Sequence, residues 1–247
     1  MEKLLKTKLL SLSLLFTLVC FNQAHAQRIG VPSRFISHIV NPADMTLSLH
    51  WKDENNQPYR SFSNLKNALA KKNKHLVFAM NGGIFQEDLK PLGLYIEKGK
   101  QKYRLNTRQN AYGNFYIQPN GVFYLTNDGQ GVIVDTTEFK PNASVQYATQ
   151  SGPMLVIDGE INLNLTQGSN SVRRRNGVGI LADGRLVFAI SKGFVNFYDF
   201  ADHFKQSGCI NALYLDGSVS QIYLPEKGYQ YFDGVFGVII AETKLDK

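Results

Sequence analysis

Short β-rich runs joined by tight turns recur along this chain and restrict the folds open to it. The segments "PMLVIDGEIN" and "GVGILADGRLVFAIS" each place Asp-Gly between two such runs, and "LYIEKGKQKY" turns at Lys98-Gly99. The segment "NFYIQPNGVFYL" predicts a further hairpin, with its turn at Pro119-Asn120-Gly121. Phe35 to Val40 and Thr46 to Trp51 are predicted to be early strands. A succession of hairpins predicts a largely antiparallel sheet.

Two helices are predicted between the hairpins. In "SFSNLKNALAKKNKH" apolar residues recur at helical spacing, and Ser63 or Asn64 is expected to cap the helix. In "NFYDFADHFKQSG" one face is apolar, Asn196 is the expected cap, and Gly208 is expected to end the helix. The continuous apolar runs "HLVFAM" and "INALYLD" are typical of buried strands. The predicted fold is therefore a single α+β domain with a largely antiparallel or mixed sheet and a few helices.

The N-terminal segment has the pattern of a secretory signal peptide. Lysines precede a short apolar run, Leu9 to Phe21, and a small-x-small site ends at Ala26. A membrane anchor is the alternative, but the apolar run is shorter than a span requires. The sequence therefore predicts a signal peptide over residues 1–26, a domain over residues 27–247, and a periplasmic or secreted location.

Charge, cysteine and histidine patterns exclude several classes of protein. The net charge is +7, but the longest basic run, Arg173-Arg174-Arg175, is too short for a nucleic-acid tail. Cys209 would be the only cysteine after removal of the signal peptide, so it is predicted to be a buried free thiol. No H-E-x-x-H, nucleotide-binding glycine motif or G-x-S-x-G occurs. No cofactor or metal is expected, although a calcium ion on loop carboxylates stays an open alternative.

Several glycines follow or precede the apolar runs and stand beside polar residues. Asn81-Gly82 follows a predicted buried strand, Ser151-Gly152 precedes one, and Asp216-Gly217 follows another. Each could be an ordinary turn, but glycine at a strand end also allows the backbone to approach a ligand closely. For Asp216 the two interpretations are evenly balanced. It either forms a hairpin turn or is a carboxylate delivered by a covered strand to a functional site.

The arginine run could instead bind an anion. Strand alternation would send Arg173 and Arg175 to one side, where two guanidinium groups suit phosphate, and Lys192 could add a third cation. The alternative is a solvated basic edge without a ligand.

Seven segments together resemble phosphodiester glycosidase domains, the family of N-acetylglucosamine-1-phosphodiester α-N-acetylglucosaminidase. They occur in the family's order between Val77 and Ile240: "FAMNGGIF", "PLGLYIEKGK", "GNFYIQPNGVFYL", "QSGPMLVIDGEIN", "RRRNGVGI", "SKGFVNFYDFADHF" and "NALYLDGSVSQIYL". The sequence is most similar to the small bacterial branch of this family. The resemblance implies hydrolysis of a sugar-1-phosphodiester between the anomeric carbon and the phosphate oxygen.

The resemblance also implies a set of site residues. The catalytic candidates are Asp216, Arg175 and Asn81, and the candidate substrate contacts are Gly82, Ser151, Gly152, Arg173, Asn176, Lys192, Gly217 and Ser218. Arg175 would hold the phosphate, and Asp216 would face the sugar as nucleophile, base or charge stabiliser.

Two loops depart from the family pattern. Many members have R-T-A-x-G where this chain has "RNGVG", and D-G-G-G-S-S where it has "DGSVS". These changes leave open an envelope protein that binds glycans or phosphosugars without cleaving them. A purely structural envelope protein is a third alternative. No nucleic-acid partner and no stable membrane anchor in the mature chain are expected.

Overall fold

The computed structural model describes residues 33–245, which contain two helices, α1 (Phe62–Ala70) and α2 (Phe197–Gln206), and sixteen strands. The strands are β1 (Phe35–Val40), β2 (Leu47–His50), β3 (Lys74–Asn81), β4 (Tyr95–Glu97), β5 (Lys100–Tyr103), β6 (Gly121–Thr126), β7 (Gly131–Asp135), β8 (Val145–Ser151), β9 (Met154–Ile157), β10 (Glu160–Ile161), β11 (Asn176–Leu181), β12 (Leu186–Ser191), β13 (Cys209–Asp216), β14 (Ile222–Leu224), β15 (Tyr229–Gln230) and β16 (Ile239–Leu245). The predicted signal peptide, residues 1–26, lies outside the described residues. Neither α1 nor α2 is long and apolar enough to cross a lipid bilayer.

The strands form three antiparallel sheets. The largest has the order β1-β12-β11-β13-β9-β10, and the other two have the orders β15-β14-β3-β16-β2 and β5-β4-β8-β6-β7. The principal cluster of buried side chains draws residues from all three sheets, so a single core joins them. Together with the two helices, this arrangement confirms the predicted α+β fold in a single domain.

Strand β13 lies inside the largest sheet, between β11 and β9. Leu213 and Leu215 point into the principal core, whereas Ala212 and Tyr214 pack in the cluster that α2 covers. Alternate side chains of this strand are thus buried on opposite faces of the sheet. The prediction of a strand covered on both sides is confirmed.

The two helices confirm the predicted positions, with one correction at a cap. Asn196 caps α2 by accepting a hydrogen bond from Asp199 N at 2.8 Å, and Gly208 follows the helix with φ +83°. The cap of α1 is Ser61, whose Oγ accepts from Asn64 N at 3.2 Å. The prediction of Ser63 or Asn64 was wrong because the helix begins earlier, at Phe62, whose buried side chain packs against Phe236.

The predicted hairpin in "NFYIQPNGVFYL" was also wrong. Asn114–Tyr116 forms a short 3-10 helix, and β6 pairs with β7 and β8 instead. The reason lies in Asn120, whose buried amide donates to the Phe115 carbonyl and accepts from Thr136 Oγ1 at 2.7 Å. These contacts fold residues 114–120 into a loop around the asparagine side chain. The hairpins at Lys98-Gly99, Asp158-Gly159 and Asp183-Gly184 are confirmed.

Candidate active site

The end of β13 is a point where the chain passes from one sheet to another. Strand β13 pairs with β11 and β9, whereas β14, the next strand in sequence, pairs with β3 and β15 in a different sheet. Asp216-Gly217 is therefore not the turn of a hairpin. The covered strand delivers the Asp216 carboxylate to the boundary between two sheets.

The Asp216 carboxylate accepts hydrogen bonds at both oxygens. Its Oδ1 accepts from the backbone N–H groups of Gly217 and Ser218, at 2.5 and 2.9 Å, and its Oδ2 accepts from Asn81 Nδ2 at 3.0 Å. The residue is only 7% exposed. Burial raises the pKa of Asp216 above its usual range, and the hydrogen bonds from Ser218, Gly217 and Asn81 oppose that rise.

A buried polar network fixes the orientation of Asn81. The backbone N–H of Gln221 donates to Asn81 Oδ1 at 2.9 Å, and Asn176 Nδ2 donates to the Asn81 carbonyl at 2.7 Å. Ser220 Oγ donates to Asn176 Oδ1 at 3.1 Å and to the Asp216 carbonyl at 2.8 Å. Because a backbone N–H can only donate, Oδ1 of Asn81 must face Gln221, and its amide nitrogen then faces Asp216.

An open cleft of about 720 Å³ lies in front of Asp216. Its polar wall includes Arg173, Ser171 and Ser218, and Tyr214 lies beside the carboxylate. The rest of the lining combines two apolar side chains with residues of the loop before β6: Ile84, Leu92, Ala111, Tyr112, Gly113, Asn114, Phe115, Tyr116 and Ile117. This cleft is the candidate active site.

Tyr214 belongs to the cleft but was not among the predicted residues. Its hydroxyl accepts a hydrogen bond from Asn114 Nδ2 at 3.4 Å, and its ring packs edge-on against Phe197. Burial, with a smaller contribution from the nearby Asp216 charge, raises the pKa of Tyr214, so the hydroxyl keeps its proton at neutral pH. Strand alternation could have revealed this residue, because position 214 shares the face of position 216.

Arg175 lies behind the cleft rather than in its lining. The side chain is fully buried, Nε donates to the Val195 carbonyl at 2.9 Å, and Nη2 donates to the Ser171 carbonyl at 2.8 Å. Its guanidinium carbon lies 3.5 Å from the centre of the Phe197 ring, an arrangement that suits a cation–π contact. Nη1 is buried and forms no hydrogen bond of normal geometry within residues 33–245, although the guanidinium and the Tyr214 hydroxyl are close enough for each to affect the pKa of the other. Burial lowers the pKa of Arg175.

Arg173 and Arg175 do not share one surface, contrary to the alternation argument. Arg173 is exposed and lines the cleft, whereas Arg175 is enclosed. Alternation fails because β11 begins only at Asn176, and Arg173 forms an isolated bridge with Val195. Lys192 is exposed and does not line the cleft.

The remaining predicted residues, Ser151, Gly82, Gly152 and Gly217, contribute to the packing and hydrogen bonding around the site. Ser151 Oγ donates to the Leu215 carbonyl at 2.9 Å and so attaches the end of β8 to β13. Gly82 and Gly152 are buried where an added Cβ would press on Val238 and on Asn120. Gly217 leaves no room for a Cβ beside the Tyr214 hydroxyl.

No three His, Cys, Asp or Glu side chains of residues 33–245 come together in a way that could hold a metal ion. The prediction that no cofactor is needed, and the calcium alternative, both stay predictions.

Comparison with known proteins finds both a similar sequence and similar solved structures. A relative from Escherichia coli (strain K12), "Uncharacterized protein YigE", is 40% identical over 189 residues, which is 76% of this chain and 73% of that protein. Among solved structures, the zebrafish N-acetylglucosamine-1-phosphodiester alpha-N-acetylglucosaminidase catalytic domain, auto-inhibited by its pro-peptide, aligns with a TM-score of 0.58. The sequence identity is 16%, and the alignment covers 88% of this chain and 85% of that one. A hypothetical protein from Synechocystis aligns with a TM-score of 0.49 and 14% identity, over 85% of this chain and 59% of that one.

At 16% sequence identity, the structural alignment with the zebrafish domain establishes the fold alone. The family follows from the match to a family model. The family model described as phosphodiester glycosidase matches residues 74–231, which is more than half of the chain and includes β13 and the Asp216 loop. This chain belongs to the phosphodiester glycosidase family.

Proposed function

We propose that this protein hydrolyses a sugar-1-phosphodiester between the anomeric carbon and the phosphate oxygen. Membership of the phosphodiester glycosidase family supports the reaction class. The observation that carries the proposal is the Asp216 carboxylate, which a buried strand presents to a cleft that Arg173 also lines. A carboxylate for the sugar and a cation for the phosphate are the two groups that this reaction needs.

The charges around the cleft suit a phosphate leaving group. A departing phosphodiester is already a stable anion, so it needs less help from a general acid than the alkoxide that leaves in ordinary glycoside cleavage. Arg173 would contact the phosphate directly, and the buried charge of Arg175 lies behind the Tyr214 ring, 5.4 Å from its centre. Both positive charges would stabilise the negative charge that grows on the phosphate.

Asp216 would act as the base that removes a proton from an attacking water. Among the described residues, 33–245, that line the cleft, Asp216 is the only carboxylate. A carboxylate oxygen can accept about two hydrogen bonds, and a water could donate to Asp216 Oδ2 beside the bond from Asn81. Its raised pKa brings the group closer to the range in which a base works well. Direct attack by water would invert the anomeric configuration, which NMR of the first sugar released would detect.

Tyr214 and Ser218 would position the substrate. The protonated Tyr214 hydroxyl can donate a hydrogen bond to a phosphate or sugar oxygen, and Ser218 lies exposed at the rim. Asn81 and Asn176 would act one layer further back, because their amides orient the carboxylate rather than the substrate.

The predicted signal peptide supports a periplasmic or secreted location for this activity. A phosphodiester-linked sugar of the cell envelope is the substrate that such a location would supply. A panel of substrates would identify the sugar and the group beyond the phosphate.

The test is the release of free sugar by purified residues 27–247 from nucleotide sugars and other sugar-1-phosphodiesters. Asp216→Asn should lower the turnover rate by about 10² to 10⁴-fold, the contribution typical of a general base. Asp158→Asn is the matched control, because Asp158 precedes a glycine in an exposed turn. It should leave turnover unchanged.

Two results would contradict the proposal. Equal turnover by the wild type and a folded Asp216→Asn protein would remove Asp216 from the reaction. Saturable binding of a phosphosugar without any release would instead favour the envelope binding protein, the alternative function raised by the altered loops.

A further inference from the structure

A second cleft, of about 620 Å³, shares no lining residue with the Asp216 cleft. It lies beside β2, the C-terminal end of α1, and the β4–β5 hairpin. Six lysines line it, and we call it the lysine cleft after them: Lys52, Lys72, Lys74, Lys98, Lys100 and Lys102. Nothing in the proposed reaction uses these residues.

Most of these positive charges have no acidic partner. Lys72 forms an ion pair with Glu54 at 2.6 Å, and the Lys52 ammonium lies 4.2 Å from the centre of the Trp51 ring. Across residues 33–245, the other four lysines of the cleft form no ion pair. Lysines outnumber carboxylates in this lining, and an excess of positive charge on a concave surface attracts anionic ligands.

The lysine charges affect the pKa of His50, which lines the lysine cleft. His50 lies there, with Nε2 hydrogen-bonded to Ser48 Oγ at 2.9 Å. Burial lowers the pKa of His50 to about 3, and the charges of Lys98, Lys74 and Lys72 contribute to that shift. Lys72 near the end of α1 and Lys98 in the β4–β5 hairpin therefore both affect His50.

Aromatic and acidic groups lie among the lysines. Tyr59 and Tyr147 contribute to the lining and are partly exposed, and flat aromatic surfaces suit the apolar faces of sugar rings, whereas Trp51, which also borders the cleft, is largely buried. Asp53 and Glu97 also line the cleft, and their oxygens can accept hydrogen bonds from sugar hydroxyls. The lining therefore mixes lysines with carboxylates, whereas a nucleic-acid site favours a continuous basic surface.

We propose that the lysine cleft binds an anionic oligosaccharide, one whose sugar rings carry phosphate or carboxylate groups. The lysines contact the anionic groups, and the aromatic and acidic groups contact the rings and their hydroxyls. The proposal is independent of the reaction at Asp216, because the two clefts share no residue.

The tryptophan provides a direct measurement, because Trp51 is the only one in the sequence and it lines the cleft. Its fluorescence would be titrated with hexagalacturonate, a phosphorylated oligomannose, neutral maltohexaose, tripolyphosphate and a single-stranded DNA 12-mer. At least one anionic oligosaccharide should give a saturable change. It should bind about tenfold or more tightly than maltohexaose, tripolyphosphate and DNA.

A triple variant tests whether the lysines are responsible. Lys98→Ala/Lys100→Ala/Lys102→Ala should raise the Kd of that oligosaccharide about tenfold or more, because three favourable charge contacts are lost together. Lys71→Ala/Lys140→Ala/Lys244→Ala removes the same charge from exposed lysines outside the cleft and should change the Kd less than about twofold. Thermal melts verify that both variants are folded.

The possible results separate cleanly. Equal weakening by the two triple variants would mean that net charge alone attracts the ligand, and the proposal would fail. Tighter binding of tripolyphosphate or DNA, or no binding of either anionic oligosaccharide, would overturn it as well. Turnover of a small sugar-1-phosphodiester by the Lys98→Ala/Lys100→Ala/Lys102→Ala variant should equal that of the wild type, so a failure at one cleft does not imply a failure at the other.

Discussion

The two clefts of this domain are similar in volume, about 720 and 620 Å³, but they hold their charges in opposite ways. In the Asp216 cleft, one buried carboxylate at the end of β13 is held by hydrogen bonds from Asn81, Gly217 and Ser218. In the lysine cleft, the charges stand at the ends of long side chains, most of them exposed to solvent.

This difference matches two kinds of task. A buried carboxylate is unfavourable unless donors satisfy it, and the donors to Asp216 come from β3 in one sheet and from the loop that leaves β13 in another. Such a site is rigid, as catalysis requires, because reacting groups must be held within a fraction of an ångström. Flexible exposed lysines cannot fix a geometry of that kind, but they can follow an anionic ligand of variable shape.

Apart from the loss of the Asp216 carboxylate itself, the largest expected effect comes from a substitution at Gly217 in the Asp216 cleft. In Gly217→Ala, the added Cβ would collide with the Tyr214 hydroxyl, so the tyrosine or the Asp216 loop must shift. A displacement of about 1 Å in a catalytic group can lower the rate about 10²-fold. We expect kcat to fall by that factor with a sugar-1-phosphodiester that the wild type cleaves, measured by sugar release.

Gly159→Ala provides the matched control for that substitution. Gly159 also follows an aspartate, but nothing lies near an added Cβ, and its φ of +82° makes alanine costly to stability alone. It should lower the melting temperature without lowering kcat. A folded Gly217→Ala protein with full activity would show that the Asp216 cleft tolerates displacement as well as the lysine cleft does.

A second prediction concerns the floor of the lysine cleft and has a smaller effect. The pKa of His50 is about 3 in the folded protein, whereas an ordinary histidine has a pKa of 6.5. Between pH 6.5 and pH 3 the unfolded chain therefore binds a proton at His50 that the folded chain does not bind. The free energy of unfolding should therefore fall as the pH drops from about 6.5 towards 3, by up to about 1.4 kcal/mol per pH unit from this group.

His50→Gln should flatten this part of the stability curve, measured by urea unfolding at several pH values. His75→Gln, at an exposed histidine, is the control and should leave the curve unchanged. Some slope should persist in both, because burial also lowers the pKa of His203. An unchanged slope in His50→Gln would mean that the pKa of His50 is not lowered in the folded protein.

Local sequence patterns predicted most of the scaffold because the hairpins and helices rest on local signals. The Asp-Gly turns after β9 and β11, the helix cap at Asn196 and the buried strand β13 all depend on neighbouring residues. The loop over residues 114–120 depends instead on Asn120, whose partners Thr136 and Gln150 are distant in sequence. A local pattern cannot show that such a side chain will be buried.

The candidate site was predictable to a similar extent. Asn81, Asn176 and Asp216 were predicted together, and the structure brings them into one network. Tyr214 was missed because a tyrosine inside an apolar run suggests core packing, which is one of its two roles. The burial of Arg175 was not predictable, because it precedes the regular part of β11, where alternation would apply.

The smallest expected effect tests how finely the rigid cleft is tuned. Asn81→Ala removes the donor to Asp216 Oδ2, and a lost donor disfavours the charged carboxylate, so the pKa of Asp216 should rise further. One hydrogen bond contributes about 0.5–1.5 kcal/mol, which corresponds to about one pH unit or less. If Asp216 works as a base, the acidic limb of the pH profile of kcat/KM should move to higher pH by that amount.

Asn114→Ala, which removes a contact to Tyr214 but none to Asp216, should leave the limb in place. A limb that stays fixed in Asn81→Ala, or moves to lower pH, would mean that another group controls it and that the network around Asp216 has a structural role only.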